Sequence, residues 1–294
     1  MQNRKTSYDL AVAYRICPRV AEAASSLPCG DDKYRLSEIC MKSFKDALKG
    51  LRVKIWALLD DCPPEYAGLF TKYFDREDVV LIDLQGIGNQ ATFQRQLEIL
   101  LAQQDAEVVY FAEDDYFYLS NQFRTLIEFL MQHDDVHFVT PYDHLDCYTM
   151  DLHRQPKWLK VYGGRHWRTA ASTCLTFLTT QDTLRKTQPV FQNYKKRSFD
   201  CSLWLSLTKR RMFNPAFFFR HVVREPFSCK AIVKSWLYCW RQILFGRKWS
   251  LWAPIPGIAT HLNSEAMSPN VDWRALMEQA KSQTLETVSP AKCG

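Results

Sequence analysis

Three carboxylates stand in a row at Glu113-Asp114-Asp115, directly after the apolar run EVVYFA and directly before YFYL. Adjacent carboxylates drawn out of water beside so many apolar side chains are costly unless a cation neutralises them. Hard oxygen ligands of this kind suit magnesium or manganese, and such an ion can bridge the phosphate oxygens of a departing diphosphate. An acidic surface turn is the plainer explanation. A buried strand running straight into three acids favours a metal site over that turn.

The elements needed to position the triplet can be read upstream of it. Tyr8–Ile16 (YDLAVAYRI), Arg52–Leu59 (RVKIWALL), Val79–Leu84 and Glu107–Ala112 read as four strands. Between them, residues 33–50 repeat apolar positions at helical spacing and stop at Gly50, a short helix spans Tyr66–Phe74, and Phe93, Leu97, Leu100 and Leu101 mark a third helix. Strands alternating with helices imply an α/β fold with a mixed, mostly parallel sheet flanked by helices and right-handed crossovers. Open sheets of this type bind ligands beyond the carboxyl ends of their strands, which is where the triplet falls. Past residue 136 the pattern changes. Val136–Thr140 and Ala170–Thr179 read as strands, and 198–210 and 231–245 as helices.

The triplet and its setting resemble the acidic metal-binding motif of GT-A-fold glycosyltransferases, in an Glu-Asp-Asp form similar to that of inverting N-acetylglucosaminyltransferases. The upstream layout resembles family-2-like bacterial and viral glycosyltransferases. The resemblance implies a GT-A-like (Rossmann-like) catalytic domain over 1–275, with a nucleotide-sugar-binding half at 1–135, an acceptor-binding half at 136–275 and a tail at 276–294. It implies a sugar moved from a nucleotide-sugar donor, most simply a UDP-sugar, to an acceptor hydroxyl with Mn2+ or Mg2+ present. Asp115 would then touch the metal, while Glu113 and Asp114 would face ribose and sugar hydroxyls. Ala13, Tyr14 and Arg15 would open the nucleotide pocket, and Asp60 or Asp61 would hold the base or ribose. Asn89, in the turn Gly86-Ile87-Gly88-Asn89, and Arg95 would lie near the diphosphate, although Arg95-Gln96 stands where the family often has Arg-Asn.

The same resemblance implies a base at the start of a later helix, and Asp200 in Ser198-Phe199-Asp200-Cys201-Ser202-Leu203-Trp204 occupies that place. Such an Asp can accept the proton of an attacking hydroxyl. It can equally cap a helix or complement its dipole. If transfer retains configuration, Asp200 loses the base role. A late histidine commonly completes the metal shell in this fold. His261, after a Pro/Gly-containing loop, is the candidate, against an ordinary surface histidine, and His221 after FFFR is the fallback. Arg165, His166, Arg168 and Trp204 would meet the acceptor or a phosphate.

Charge is unevenly distributed along the 294 residues, whose formal net charge is +6. Residues 195–248 hold thirteen Lys and Arg against only Asp200 and Glu225, a net of +11, so the remainder is net negative. One face built for an anion is implied. In 231–245 (AIVKSWLYCWRQILF), Lys234, Ser235, Arg241 and Gln242 form a polar side that leaves a broad apolar face with Trp236 and Trp240. That pattern fits a helix lying in an anionic membrane interface, and with it a lipid-linked or surface glycan as acceptor. Basic grooves with aromatic platforms also bind phosphodiester backbones, which admits DNA glycosylation of the phage type. Ordinary packing of the helix into the core is the third reading.

The ten cysteines form no CxxC and no zinc-like spacing, and MQNRKTSYDL is not an apolar leader, so a reducing cytoplasm is expected, the membrane reading adding peripheral attachment at the inner membrane face. Two other classes compete. A nucleotidyltransferase would show a Gly-rich loop after the first strand, and AVAYRICPRVAEAA has no glycine. A non-catalytic nucleic-acid-binding protein would leave the triplet and His261 without a role.

Overall fold

In β1 (Leu10–Ile16), Leu10, Val12, Tyr14 and Ile16 enter one core and Ala11 and Ala13 another, so both faces of the strand are covered. That two-sided burial is what a central parallel strand requires, and it explains the near-continuous apolar run. The computed structural model describes residues 7–19, 22–154 and 156–288. After β1 the chain runs through α1 (Lys33–Ala47), β2 (Val53–Asp60), α2 (Glu65–Tyr73), β3 (Val79–Leu84), α3 (Asn89–Ala102), β4 (Val108–Glu113), β5 (Tyr116–Tyr118) and α4 (Phe123–Met131). The second half comprises β6 (Phe138–Val139), α5 (Asp146–Thr149), β7 (Leu159–Tyr162), β8 (Arg165–Ala170), β9 (Phe177–Thr180), α6 (Gln181–Phe191), α7 (Asp200–Thr208), α8 (Pro215–His221), α9 (Pro226–Phe245), β10 (Leu251–Ile255), β11 (Ala259–His261) and α10 (Trp273–Val288).

Nine strands form one sheet in the order β3-β2-β1-β4-β9-β6-β10-β8-β7, and β11 pairs with β5 in a separate ribbon. Following the pairings, only β9 and β8 run against the common direction of the large sheet. The fold is therefore α/β with a mixed, mostly parallel sheet flanked by helices, as the alternating pattern implies. One core holds Tyr14, Phe44, Phe70 and Tyr110 between the sheet and α1, α2 and α4. The other holds Phe93, Phe111, Phe177 and Trp204 beneath α3, α6 and α7.

Two expectations need correction. Residues 170–179 are not one strand: Ala170 ends β8, and after an intervening loop β9 begins at Phe177. The region from 276 onward is not a loose tail through 288. It continues α10, whose Trp273 and Met277 are buried with Leu36, Ile39 and Phe117. An amphipathic helix that lays these side chains on α1 gains enough apolar burial to stay docked.

Candidate active site

The carboxyl ends of β1, β2 and β4 open into a cavity of about 420 Å3 lined by Arg15, Arg19, Asp60, Asn89 and the whole triplet. Parallel register explains its central ion pair. Arg15 lies opposite Glu113 in the β1–β4 ladder, so both side chains leave the same sheet face side by side. Arg15 Nη2 donates to Glu113 Oε1, and Nη1 donates to the Asn89 side-chain and backbone oxygens, the latter at 3.1 Å. Thr176 Oγ1 donates to the other Glu113 oxygen at 2.7 Å. Arg15 thus ties the acidic strand end to the start of α3.

Asp60 organises that helix start. The Ile87 and Gly88 amides donate to its two oxygens at 2.8 and 2.9 Å, and the Thr92 hydroxyl approaches at 3.4 Å. Gly88 caps α3 at a φ of 82°, a left-handed conformation that a side chain would disfavour. The start of α3, through Gly88, Asn89 and Thr92, lines the cavity together with Arg15 and Arg19, a suitable place for a phosphate.

Within the triplet the three acids have different surroundings. Asp114 is buried against Lys33 Nζ at 2.8 Å and accepts from the Cys17 amide at 3.2 Å. Burial pushes its carboxyl up from the usual range, with Lys33 opposing and Asp115 adding to the shift. Asp115 faces His261, whose Nε2 lies 2.9 Å from Asp115 Oδ2. The pair is assembled by the ribbon, where antiparallel pairing sets His261 opposite Tyr116 and the Leu262 amide donates to the Asp115 carbonyl at 2.8 Å. Burial works against charge on both partners, yet attraction wins. Asp115 is held down to about 2 by His261, Lys33 and Arg15, and His261 is held up at about 9 by Asp115, Glu113 and Asp200. Asp115 Oδ1 is buried without a hydrogen-bond partner.

Asp200 enters the same field. It occupies the first turn of α7, where Phe199 is the N-cap, and its Oδ1 accepts from the Cys201 amide at 2.6 Å. Burial raises its carboxyl, Glu113 adds to the rise, and Arg15 and His261 pull the other way. The structure therefore brings Arg15, Asp60, Asn89 and the triplet to one cavity and His261 to it through Asp115, while Asp200 is not among the lining residues and is linked to them by charge alone.

Other candidates lie elsewhere. Ala13 and Tyr14 point into the two cores, so Arg15 alone of that trio reaches the cavity. Asp61 and Arg95 are not among its lining residues, and Arg95 pairs with Glu98 on the exposed side of α3. Trp204 is fully buried among Phe138, Phe177 and Phe191 and donates to the Cys174 carbonyl, which makes it core rather than acceptor surface. Arg165 donates to the Pro256 carbonyl at 2.5 Å, and His166 is exposed along β8. His221 is buried between the Phe217 carbonyl and Asp151, where Asp151, His221 and Glu225 bring one ligand atom each within 4.8 Å of the others. Asp151 already pairs with Arg154 there, and Glu225 accepts from Ser228.

Arg168 is also not free for an acceptor. It is 1% exposed and pairs with the fully buried Asp143 through Nε at 3.1 Å and through Nη2. Asp143→Ala leaves that guanidinium buried and uncompensated, so a loss of about 3–5 kcal/mol is expected in denaturant unfolding. A loss under about 1 kcal/mol would show that water replaces the partner.

Sequence reasoning missed Arg19, Lys33, Thr92 and Thr176. Arg19 alone carried a signal, as a cation just past the carboxyl end of the first strand. Tertiary packing alone brings Thr92 to the cavity, Lys33 to Asp114 and Thr176 to Glu113.

No family model matches the chain, and no curated protein matches it in sequence. In three dimensions it is similar to the galactosyltransferase LgtC solved with donor and acceptor sugar analogs, at 11% identity over 96% of this chain and 98% of that one, with a TM-score of 0.49. It is similar also to the glycosyltransferase GlyE of Streptococcus pneumoniae TIGR4, at 16% identity over 97% and 66% of the two chains, TM-score 0.44. A mannosyltransferase from Pyrobaculum calidifontis in complex with GDP-Man and Mn2+ is similar over 46% of this chain and 36% of its own, at 11% identity and a TM-score of 0.32.

Proposed function

We propose that this protein is a metal-dependent glycosyltransferase that moves a sugar from a nucleotide-sugar donor, with UDP as the simplest nucleotide, to an acceptor hydroxyl with inversion at the anomeric carbon. The observation that carries the reading is the Asp115–His261 pair, with its orphaned Oδ1, beside a cavity whose far side is the start of α3 with Arg15 and Arg19. One carboxylate and one imidazole in contact fit Mn2+ or Mg2+, since the unsatisfied oxygen needs a positive partner and the donors suit either ion. When bound there, the ion would supply charge neutralisation for a departing diphosphate.

The chain's own residues account for the rest. Arg15, Arg19 and the first amides of α3 bind and orient phosphate oxygens. Glu113, fixed by Arg15 and Thr176, and Asp114, fixed by Lys33, leave oxygens at the cavity for ribose or sugar hydroxyls. Asp200, with its carboxyl shifted upward by burial, accepts the acceptor hydroxyl's proton. The acceptor oxygen bonds to the anomeric carbon, the bond from that carbon to the diphosphate breaks, and the electron pair leaves with the nucleoside diphosphate. The basic segment supports an anionic acceptor, with a lipid-linked or surface glycan the first choice and DNA bearing hydroxymethylated bases the second.

A thermal-shift screen of sugar nucleotides with and without manganese tests the class. A UDP-sugar that raises Tm only with manganese is expected. A response confined to nucleoside triphosphates would point to nucleotidyl transfer instead.

A second check follows from His261. A metal ligand must be the neutral imidazole, and Asp115 holds the ring's proton up to about 9. Metal affinity, read by calorimetry, should therefore rise as pH increases towards 9, with proton release on binding. In His261→Gln that slope should flatten. An unchanged slope in the variant removes His261 from the shell.

A further inference from the structure

Helix α9 buries Ile232, Cys239 and Ile243 together with small residues, and of the polar side expected from its sequence only Ser235 is covered. Ser228, Ala231 and Ser235 are buried, and the hydroxyls of Ser202 on α7 and Ser235 both donate to the Ala231 carbonyl, at 2.9 and 2.8 Å. Ser235 also reaches the Ser202 carbonyl at 2.9 Å. Small hydroxyl side chains bonded to carbonyls let α7 and α9 approach closely without an unsatisfied polar group. The consequence falls on the other side of the helix. Val233, Leu237, Trp240 and Leu244 are 51%, 63%, 45% and 47% exposed, an apolar row that runs across the kink at Cys239 (φ −125°, ψ 20°).

Cations flank that stripe. Lys230 stands one turn before Val233, and the Arg241 guanidinium lies 5.4 Å from the Trp240 ring centre; both residues are exposed. The end of α9 and the residues after it continue in the same style, with Phe245 79% exposed and Arg247 and Lys248 exposed behind it. Trp236, by contrast, is not on the stripe. It is half-buried, donates to the Met212 carbonyl and meets Phe213 edge-on. A row of large apolar side chains edged by Lys and Arg complements a surface that is apolar inside and anionic at its boundary. No helix among the described residues is long and apolar enough to cross a membrane, so the contact would be peripheral.

We propose that the exposed stripe of α9, from Val233 to Leu244, docks the protein on an anionic lipid surface, with Lys230 and Arg241 at the headgroups. The position of α9 gives this contact a purpose. Phe227 in its first turn stacks on Phe199 at 5.2 Å, and Phe199 immediately precedes Asp200. The first turn of the lipid-docked helix is thereby joined to the segment that carries Asp200, the proposed base. The inference deepens the lipid-linked acceptor reading, but it concerns binding and is measured without donor.

The test is co-sedimentation of the full chain with vesicles of phosphatidylcholine alone and of phosphatidylcholine mixed with phosphatidylglycerol. Binding to the mixed vesicles is expected, weakened but not abolished by salt, because apolar burial adds a salt-insensitive part. Leu237→Ser/Trp240→Ser should lower partitioning by roughly tenfold or more. Lys230→Glu/Arg241→Glu should lower it on the mixed vesicles by about tenfold. Both pairs are exposed, and unchanged melting together with an unchanged donor-induced shift would show that fold and donor site survive. Loss of that donor shift in the unaltered protein would sink the glycosyltransferase reading while leaving the lipid contact standing. The lipid proposal is overturned by absence of binding to the mixed vesicles at low salt, or by full binding in the Leu237/Trp240 variant. It is equally overturned if the stripe proves to hold two copies of the chain together, or if duplex DNA binds with steep salt dependence and vesicles do not.

Discussion

Asp115→Ala is expected to eliminate manganese-dependent donor binding and to reduce turnover to background, while the protein still unfolds cooperatively. The carboxylate is the one acid of the triplet with an oxygen, Oδ1, that is buried without a hydrogen-bond partner. Glu113 is held by Arg15 and Thr176, and Asp114 by Lys33 and the Cys17 amide. Removing Asp115 deletes an oxygen ligand and also the partner that keeps His261 charged, so the imidazole should fall back towards its ordinary range. Calorimetric titration with manganese, alone and with a UDP-sugar, reads the first effect. The histidine's proton resonances across pH read the second. Full donor turnover by the variant, or undiminished activity of the unaltered protein in excess chelator, rules out the metal assignment.

Asp200→Asn should lower turnover by roughly two to four orders of magnitude with donor binding nearly unchanged. The amide keeps the size and position of the carboxylate but cannot take the acceptor's proton. If Asp200 serves only as a favourable acid in the first turn of α7, the same variant loses about 0.3–1 kcal/mol of stability and keeps near-normal turnover. Stability and turnover measured on one preparation separate the two roles. A large fall in turnover accompanied by an equal fall in donor affinity would make Asp200 a binding residue and remove the base from this position. Retention of anomeric configuration in the product would also contradict the role given to it.

The alternation of strands and helices through residue 113, and the acidic strand end it leads to, are written in local pattern. Buried strands such as LAVAYRI and VVYFAE need apolar side chains on both faces, and amphipathic helices such as α1 need a stripe at helical period. Both requirements are satisfied within a few residues, so they leave a signature in the sequence itself. The triplet's place at a strand's carboxyl end was legible for the same reason.

The pairings that make the triplet into a site were decided only by tertiary structure. Arg15 meets Glu113 through the register of β1 on β4, and His261 meets Asp115 because β11 pairs with β5 across more than 140 residues. Register is set by long-range packing, and a shift of one residue would turn each of these side chains to the other face. The same limit governs α9. Its periodicity shows which residues share a side, but not which side is covered. The sequence suggested a wet polar side carrying Ser235, with Trp236 and Trp240 both on the apolar one. In the fold, Ser202 and Ser235 satisfy their hydroxyls on backbone carbonyls and allow close helix contact, so Ser235 is buried while Arg241 stays exposed. Val233, Leu237, Trp240 and Leu244 are left facing outward.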